Sequence, residues 1–159
     1  MKIIDNFLPI NYFQIIQEML ATDFPWYYGD GCDYPTSTVK DMFHFYHCFY
    51  ERDTPSIFFD LVKPCIPLLG AHNLLRVKAN LQTRTVFNRN GGYHTDPWPD
   101  ATTAVYYVNT NNGWTHIKGH GKVKSVANRV VIFDSKLEHG SVTCTDEKRR
   151  IVLNFNYDL

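Results

Sequence analysis

The chain carries no net charge: lysine plus arginine and aspartate plus glutamate each number 16. That balance excludes a chain-wide basic footprint of the kind that holds nucleic acid, leaving only a local patch open. No apolar run approaches the ~20 residues a helix needs to cross a bilayer. The opening residues, Met1-Lys2-Ile3-Ile4-Asp5, lack the apolar core of a secretion signal. Cys32, Cys48, Cys65 and Cys144 show no paired CxxC spacing, so a disulfide framework is not expected, and a cytoplasmic chain with reduced thiols is. There is no internal repeat and no low-complexity segment. What is present is apolar and aromatic: 44% hydrophobic and 15% aromatic residues in 159, which suits one globular domain with a real core.

Residues 1–75 read as a helical buttress and loop region, and 76–159 as a β core. Ile3 to Leu8 is a short apolar segment closed by Pro9. Asn11 is placed to cap a helix running to about Ala21, with Tyr12, Ile15, Ile16, Met19 and Leu20 as its apolar stripe. Asp23 to Thr38, with Pro25, Gly29, Gly31 and Pro35, reads as a long loop. The stretch from Asp23 to Tyr50 is a candidate lid over a substrate. In Met42 to Tyr50, the alternation of Phe43, Phe45, His47 and Phe49 suits a strand. Nothing nearby completes a metal ligand set around His44 and His47. Thr54-Pro55 carries a helix-start signature, with Phe58, Leu61 and Val62 facing the core and Pro64 and Pro67 bending the chain before Gly70.

Strand signals then follow in series: Leu74 to Phe87, Ala101 to Val108, Trp114 to Ile117, Gly121 to Ser125, Arg129 to Phe133 and Arg149 to Tyr157. Gly113, Gly119 and Gly121 exclude the helix that a His116/His120 metal pair would need. In the last strand Ile151, Leu153, Phe155 and Tyr157 share one face, which suits packing under helices. Arg150, Val152, Asn154 and Asn156 share the other, which suits a polar cavity. Helices followed by six or more short strands indicate a mainly β, α+β chain: an antiparallel double-stranded β-helix, or jelly roll, with helices packed on one sheet.

The chemistry gathers around Tyr93-His94-Thr95-Asp96. His94 and Asp96 are two apart and project from one face of an extended segment. His139 follows 45 residues later and Arg150 eleven after that. Two histidines and a carboxylate are the facial triad that holds non-haem Fe(II) and leaves positions open for co-substrate and O2. Arg149 and Arg150 compete for the role of a fixed cation near that metal; strand parity favours Arg150, which shares its face with Asn154 and Asn156.

His94-x-Asp96, His139 and Arg150, with Val105-Tyr106-Tyr107-Val108-Asn109 and Arg129-Val130-Val131-Ile132-Phe133 between them, resemble the core of the Fe(II)- and 2-oxoglutarate-dependent dioxygenases. The similarity is to the prolyl 4-hydroxylase-like branch and covers about the last 80 residues. It implies His94, Asp96 and His139 as iron ligands. Arg150 would meet the far carboxylate of 2-oxoglutarate, Tyr107 would contact the same carboxylate, and Asn154 would line the pocket. It also implies O2 as co-substrate, ascorbate as accessory reductant, and hydroxylation with release of succinate and CO2.

Two departures from the branch stand out. Phe87 stands where some prolyl hydroxylases carry a co-substrate tyrosine, and Gly113-Trp114-Thr115 replaces a more usual Gly-Gly-x-Thr. The substrate expected is a proline-containing peptide or protein, with Trp98 and Trp114 as aromatic contacts and no nucleic acid or membrane as partner. A free amino acid or other small metabolite is the alternative within this chemistry. A cupin-like metal enzyme that does not use 2-oxoglutarate is the alternative outside it.

Overall fold

The computed structural model describes residues 1–30 and 42–159. The middle of the lid candidate, with Cys32, Gly31 and Pro35, lies outside the described residues.

The chain opens with β1 (Lys2–Ile4) and α1 (Ile10–Ala21), then β2 (Tyr27–Asp30), β3 (Phe43–Glu51) and β4 (Thr54–Pro55). A 3-10 turn at Phe59–Leu61 and the short α2 (Cys65–Leu69) lead into β5 (Asn73–Thr83). After that come β6 (Thr102–Tyr107), β7 (Trp114–Ile117), β8 (Gly121–Lys124), β9 (Arg129–Asp134), β10 (His139–Val142) and β11 (Arg149–Asp158). Among the described residues, a large sheet runs in the order β1-β9-β6-β11-β5-β3-β2 with β4 paired to β3, and a small sheet runs β10-β7-β8. Every pairing is antiparallel. Two facing antiparallel sheets with helices on the outside of the larger form a jelly roll, as expected from the strand series.

Alternation along β11 decides what each face does. Ile151, Leu153, Phe155 and Tyr157 are buried against Phe13, Ile16 and Leu20 of α1 and Cys65 and Leu69 of α2. Burying each large side chain there contributes roughly 1.5–3 kcal/mol. On the opposite face Val152 joins Val105, Tyr107, Val131 and Phe133 under Ile117 and Val123 of the small sheet. The small sheet thus packs on β6, β9 and β11, and the Arg76–Gln82 row of β5 lies beside it in register with Asn156, Asn154, Val152 and Arg150.

The N-terminal half departs from the sequence expectation in several places. Residues 1–75 are more than a buttress and loop, since β1, β2, β3 and β4 all join the large sheet. The helix starts one residue before Asn11, with Pro9 in the N-cap position and no side-chain cap, because the Pro9 carbonyl already accepts from the Phe13 amide at 3.1 Å. Its buried stripe is Phe13, Ile16 and Leu20, while Tyr12, Ile15 and Met19 are exposed. The sheet lies under a narrower face than the run of apolar residues suggests.

Thr54-Pro55 does not start a helix. It is extended and pairs with Tyr50 and Glu51 across Arg52 and Asp53, both at positive φ (48° and 59°), the two-residue turn whose twist matches a hairpin. Within the expected loop, Tyr27–Asp30 forms an edge strand on β3. β5 ends at Thr83, leaving Phe87 68% exposed, away from the interior position a co-substrate contact needs. His47 packs among Phe24, Phe49 and Phe58 and bonds the Pro25 carbonyl and Ser56 hydroxyl; burial pushes its pKa down. Cys48, Cys65 and Cys144 are free thiols. No helix among the described residues is long and apolar enough to cross a membrane.

Candidate metal centre

The sheets meet where His94 lies opposite His139. The two residues exchange backbone hydrogen bonds, His94 N to His139 O at 3.0 Å and His139 N to His94 O at 2.9 Å. This single antiparallel bridge sets the imidazole centroids 4.4 Å apart. Asp96 follows on the same face, its amide held by the Ser135 carbonyl. One ligand atom from each of His94, Asp96 and His139 falls within 4.8 Å of the others, the one such group among the described residues.

Neighbouring residues fix the orientation of His139 and Asp96. The Leu137 carbonyl lies 2.9 Å from His139 Nδ1. A carbonyl only accepts, so Nδ1 carries a proton there, and Nε2 lies 3.8 Å from Asp96 Oδ2. The Asp96 carboxylate is buried. Its Oδ2 accepts from Thr103 Oγ1 at 2.5 Å and Asn156 Nδ2 at 2.9 Å. Among the described residues its Oδ1 accepts only from Arg76 Nη2, at 3.3 Å. With about two lone pairs per oxygen, Oδ1 is the one with capacity left for a metal. Two imidazoles and a carboxylate in reach of one point are a donor set suited to a divalent iron-group ion.

Arg150 lies on the same sheet face, 2% exposed. Its Nε donates to Ser125 Oγ at 3.0 Å, Nη2 to Thr115 Oγ1 at 3.0 Å and Nη1 to Gln82 Oε1 at 3.4 Å. All three partners are neutral. No carboxylate among the described residues pairs with it, and burial pushes its pKa below the usual arginine value. Tyr107 sits with its ring 5.7 Å from the guanidinium carbon and donates to Thr115 Oγ1 at 2.8 Å; burial raises its pKa. Gly113 makes room here, since a Cβ on it would stand 2.9 Å from Arg150 Cδ and 2.7 Å from the Val142 carbonyl. A notch of about 30 Å³, lined by His44, Asn80, Gln82, Ser141, Arg150, Val152 and Asn154, holds one or two water-sized groups. The Oδ1 atoms of Asn80 and Asn154 have no hydrogen-bond partner among the described residues.

The structure therefore brings His94, Asp96 and His139 together, puts Arg150 and Asn154 on one interior notch of the same face and sets Tyr107 beside Arg150. Arg149 goes the other way and caps α1 through the Ala21 carbonyl at 2.8 Å. Trp98 stands at the metal cluster, with the Arg76 guanidinium carbon 4.9 Å from its ring. Trp114 does not reach the site. Thr115 points inward, so Trp114 takes the outer face of β7, where Lys122 lies 4.0 Å over its ring. Arg76, Thr103, Gln82 and Ser125 were missed from the sequence. Only strand register places them, apart from Asn156, whose parity with Arg150 was legible.

The sequence matches no protein-family model and no curated protein. The fold does match solved structures. One is an oxidoreductase of the 2OG-Fe(II) oxygenase family from Burkholderia pseudomallei, with TM-score 0.67 and 13% identity over 97% of this chain and 82% of that one. Another is a prolyl hydroxylase from Trichoplax adhaerens in complex with a hypoxia inducible factor peptide fragment, with TM-score 0.66 and 14% identity over 99% and 83%. A third is HygX from Streptomyces hygroscopicus with nickel and 2-oxoglutarate bound, with TM-score 0.63 and 11% identity over 98% and 81%. At these identities the likeness is one of fold. The chain has the double-stranded β-helix that these oxygenases share.

Proposed function

We propose that the chain is an Fe(II)- and 2-oxoglutarate-dependent dioxygenase that hydroxylates a proline-containing peptide. The observation that carries this reading is the joint placement of a His-Asp-His cluster and a fully buried guanidinium with only neutral partners on one sheet face. An unpaired buried cation is costly and is explained by an anion that arrives with function. Arginine suits a carboxylate because its planar fork bonds both oxygens.

In this reading His94, Asp96 and His139 hold the iron. Arg150 takes the distal carboxylate of 2-oxoglutarate, steadied by Thr115, Ser125 and the ring of Tyr107, and Asn154 lines the path between. When bound, Fe(II) with 2-oxoglutarate and O2 supplies the oxidant that turns a substrate C–H into C–OH, with succinate and CO2 released. The chain's own residues orient and exclude. Leu137 fixes the His139 tautomer; Thr103, Asn156 and Arg76 hold Asp96 in one rotamer; Val152, Val105 and Phe133 keep water from the interior side. Ascorbate would keep the iron ferrous. A reducing, cytoplasmic setting suits both that iron and the free thiols. The peptide part is supported by the fold shared with a prolyl hydroxylase whose structure holds a peptide and by Trp98 beside the cluster, a flat surface for a proline ring.

The test is incubation with Fe(II), 2-oxoglutarate and ascorbate against a proline-peptide library, free amino acids and methylated oligonucleotides, read by mass. A one-oxygen gain on a peptide, lost in His94→Ala, Asp96→Ala and His139→Ala with circular dichroism unchanged, is expected. Oxidation of a free metabolite alone would refute the peptide assignment. Full turnover in any of the three variants would refute the metal assignment.

A further inference from the structure

We propose that Arg76, laid against Trp98 beside Asp96, anchors a carboxylate of the substrate. The inference rests on the oxygenase reading above and names the substrate class for that site.

Three features of Arg76 point this way. Its guanidinium is held in place by neighbours: Nε donates to Asn156 Oδ1 at 3.2 Å, Nη2 to Asp96 Oδ1 at 3.3 Å, and the carbon lies 4.9 Å from the centre of the Trp98 ring. Its Nη1 makes no hydrogen bond among the described residues, and the side chain is 21% exposed, so a donor remains for a ligand. Finally, its ion pair is with the very carboxylate proposed to ligate the metal, and at 3.3 Å that contact is long for a charge-assisted bond.

Formal charges sharpen the point. Asp96 carries one negative charge, and Arg76 and Arg150 one positive charge each. Fe(II) adds two positive charges and 2-oxoglutarate two negative ones. The loaded site is left with a single surplus positive charge, because the one charge of Asp96 would be shared between the iron and Arg76. A cation beside a bound dication is repelled unless an anion joins it. Glu51 stands opposite Arg76 on β3 but makes no ion pair with it among the described residues. One carboxylate on the substrate closes the count and meets a guanidinium already oriented by Asn156 and Trp98, which reduces the ordering cost of binding. That carboxylate can be the α-carboxylate of a free imino acid or the side chain of an acidic residue next to a peptidyl proline.

The experiment separates these sources and separates the anchor from the underlying reading. The protein is loaded with Mn(II) and 2-oxoglutarate without O2, so that nothing turns over, and matched probes are titrated calorimetrically: L-proline against L-prolinamide, and acetyl-Pro-Glu-amide against acetyl-Pro-Gln-amide. In at least one pair the carboxylate member is expected to bind tenfold or more tightly than its neutral partner. Arg76→Gln should bring it to the neutral level, and Arg76→Lys should restore part of the difference. Mn(II) titration of each variant guards against an indirect effect. An Arg76 that merely props Asp96 would lower metal affinity and weaken both members of each pair alike, and that result overturns the anchor. So does equal affinity within both pairs, a preference surviving Arg76→Gln, or no uptake of either carboxylate probe by fully loaded protein. Failure to take up Mn(II) and 2-oxoglutarate at all would sink the oxygenase reading itself.

Discussion

Replacing Arg150 by methionine tests the co-substrate assignment without opening a large cavity. In the free protein two effects oppose each other. Three hydrogen bonds from the charged guanidinium to neutral partners are lost, worth about 1.5–3 kcal/mol each. Against that, the cost of burying a cation with no counter-ion, several kcal/mol, is removed. The two nearly cancel, so the thermal midpoint of the free protein should stay within a few degrees of wild type. Binding should not. A buried carboxylate that loses its charged partner is weakened by about 2–5 kcal/mol, or roughly 30- to 4000-fold in Kd. Calorimetric titration of 2-oxoglutarate into the Mn(II)-loaded protein reads this directly. Thermal shift provides a second readout, because the stabilisation by 2-oxoglutarate seen in wild type should disappear. Arg149→Ala is the control. Its guanidinium bonds the Ala21 carbonyl, so its loss costs about 1 kcal/mol of stability and nothing in affinity. Unchanged affinity in Arg150→Met, or a large loss in Arg149→Ala, would refute the assignment.

Two further substitutions probe how the site is held. Gly113→Ala should cost about 1–3 kcal/mol by overpacking and weaken 2-oxoglutarate binding, because the new methyl displaces Arg150 and the Val142 carbonyl; parallel denaturation and titration check both, and wild-type behaviour in each would show that the wall yields. Ile117→Ala, in the layer between the sheets and opposite His139 across the β7–β10 pair, should cost about 2–5 kcal/mol of stability and also lower Mn(II) affinity, read by metal titration well below the denaturation midpoint.

The C-terminal half was legible because its signals are periodic. β11 alternates without a break in side-chain identity, so its two faces, and hence the choice of Arg150 over Arg149, could be read by counting. The glycines after Asn111 and Lys118 marked the turns around β7. The N-terminal half was harder because its signals are ambiguous. Thr54-Pro55 satisfies a helix-start rule, yet Arg52 and Asp53 at positive φ turn it into a hairpin, and neither residue advertises that conformation. Tyr12, Ile15 and Met19 are apolar but exposed, so a stripe drawn from composition alone is too wide. Arg76 and Thr103 were invisible for a different reason. What makes them part of the site is register, Asn156 opposite Arg76 on one side and Thr103 on the other, and long-range register is set by packing between strands distant in the chain.

That same register explains why the metal cluster depends on both sheets. His139 belongs to the small sheet, paired with Ile117, and His94 hangs from it by one bridge. Asp96 is pinned instead to the large sheet through Thr103 of β6 and Asn156 of β11. The distance between the ligand atoms is therefore the distance between the sheets, and what holds the sheets apart is the apolar layer of Val105, Tyr107, Ile117, Val123, Val131, Phe133 and Val152. A close-packed layer has few alternative thicknesses. Three ligands drawn from two sheets can thus keep one geometry before any metal arrives, and the ordering cost is met in folding, not in binding. The cost of that design is that a void anywhere in the layer lets the sheets settle together and shifts Nε2 of His139 relative to the Asp96 carboxylate. Metal affinity is then a readout of packing in that layer, and Ile117, the strand partner of His139, is where a void would act most directly.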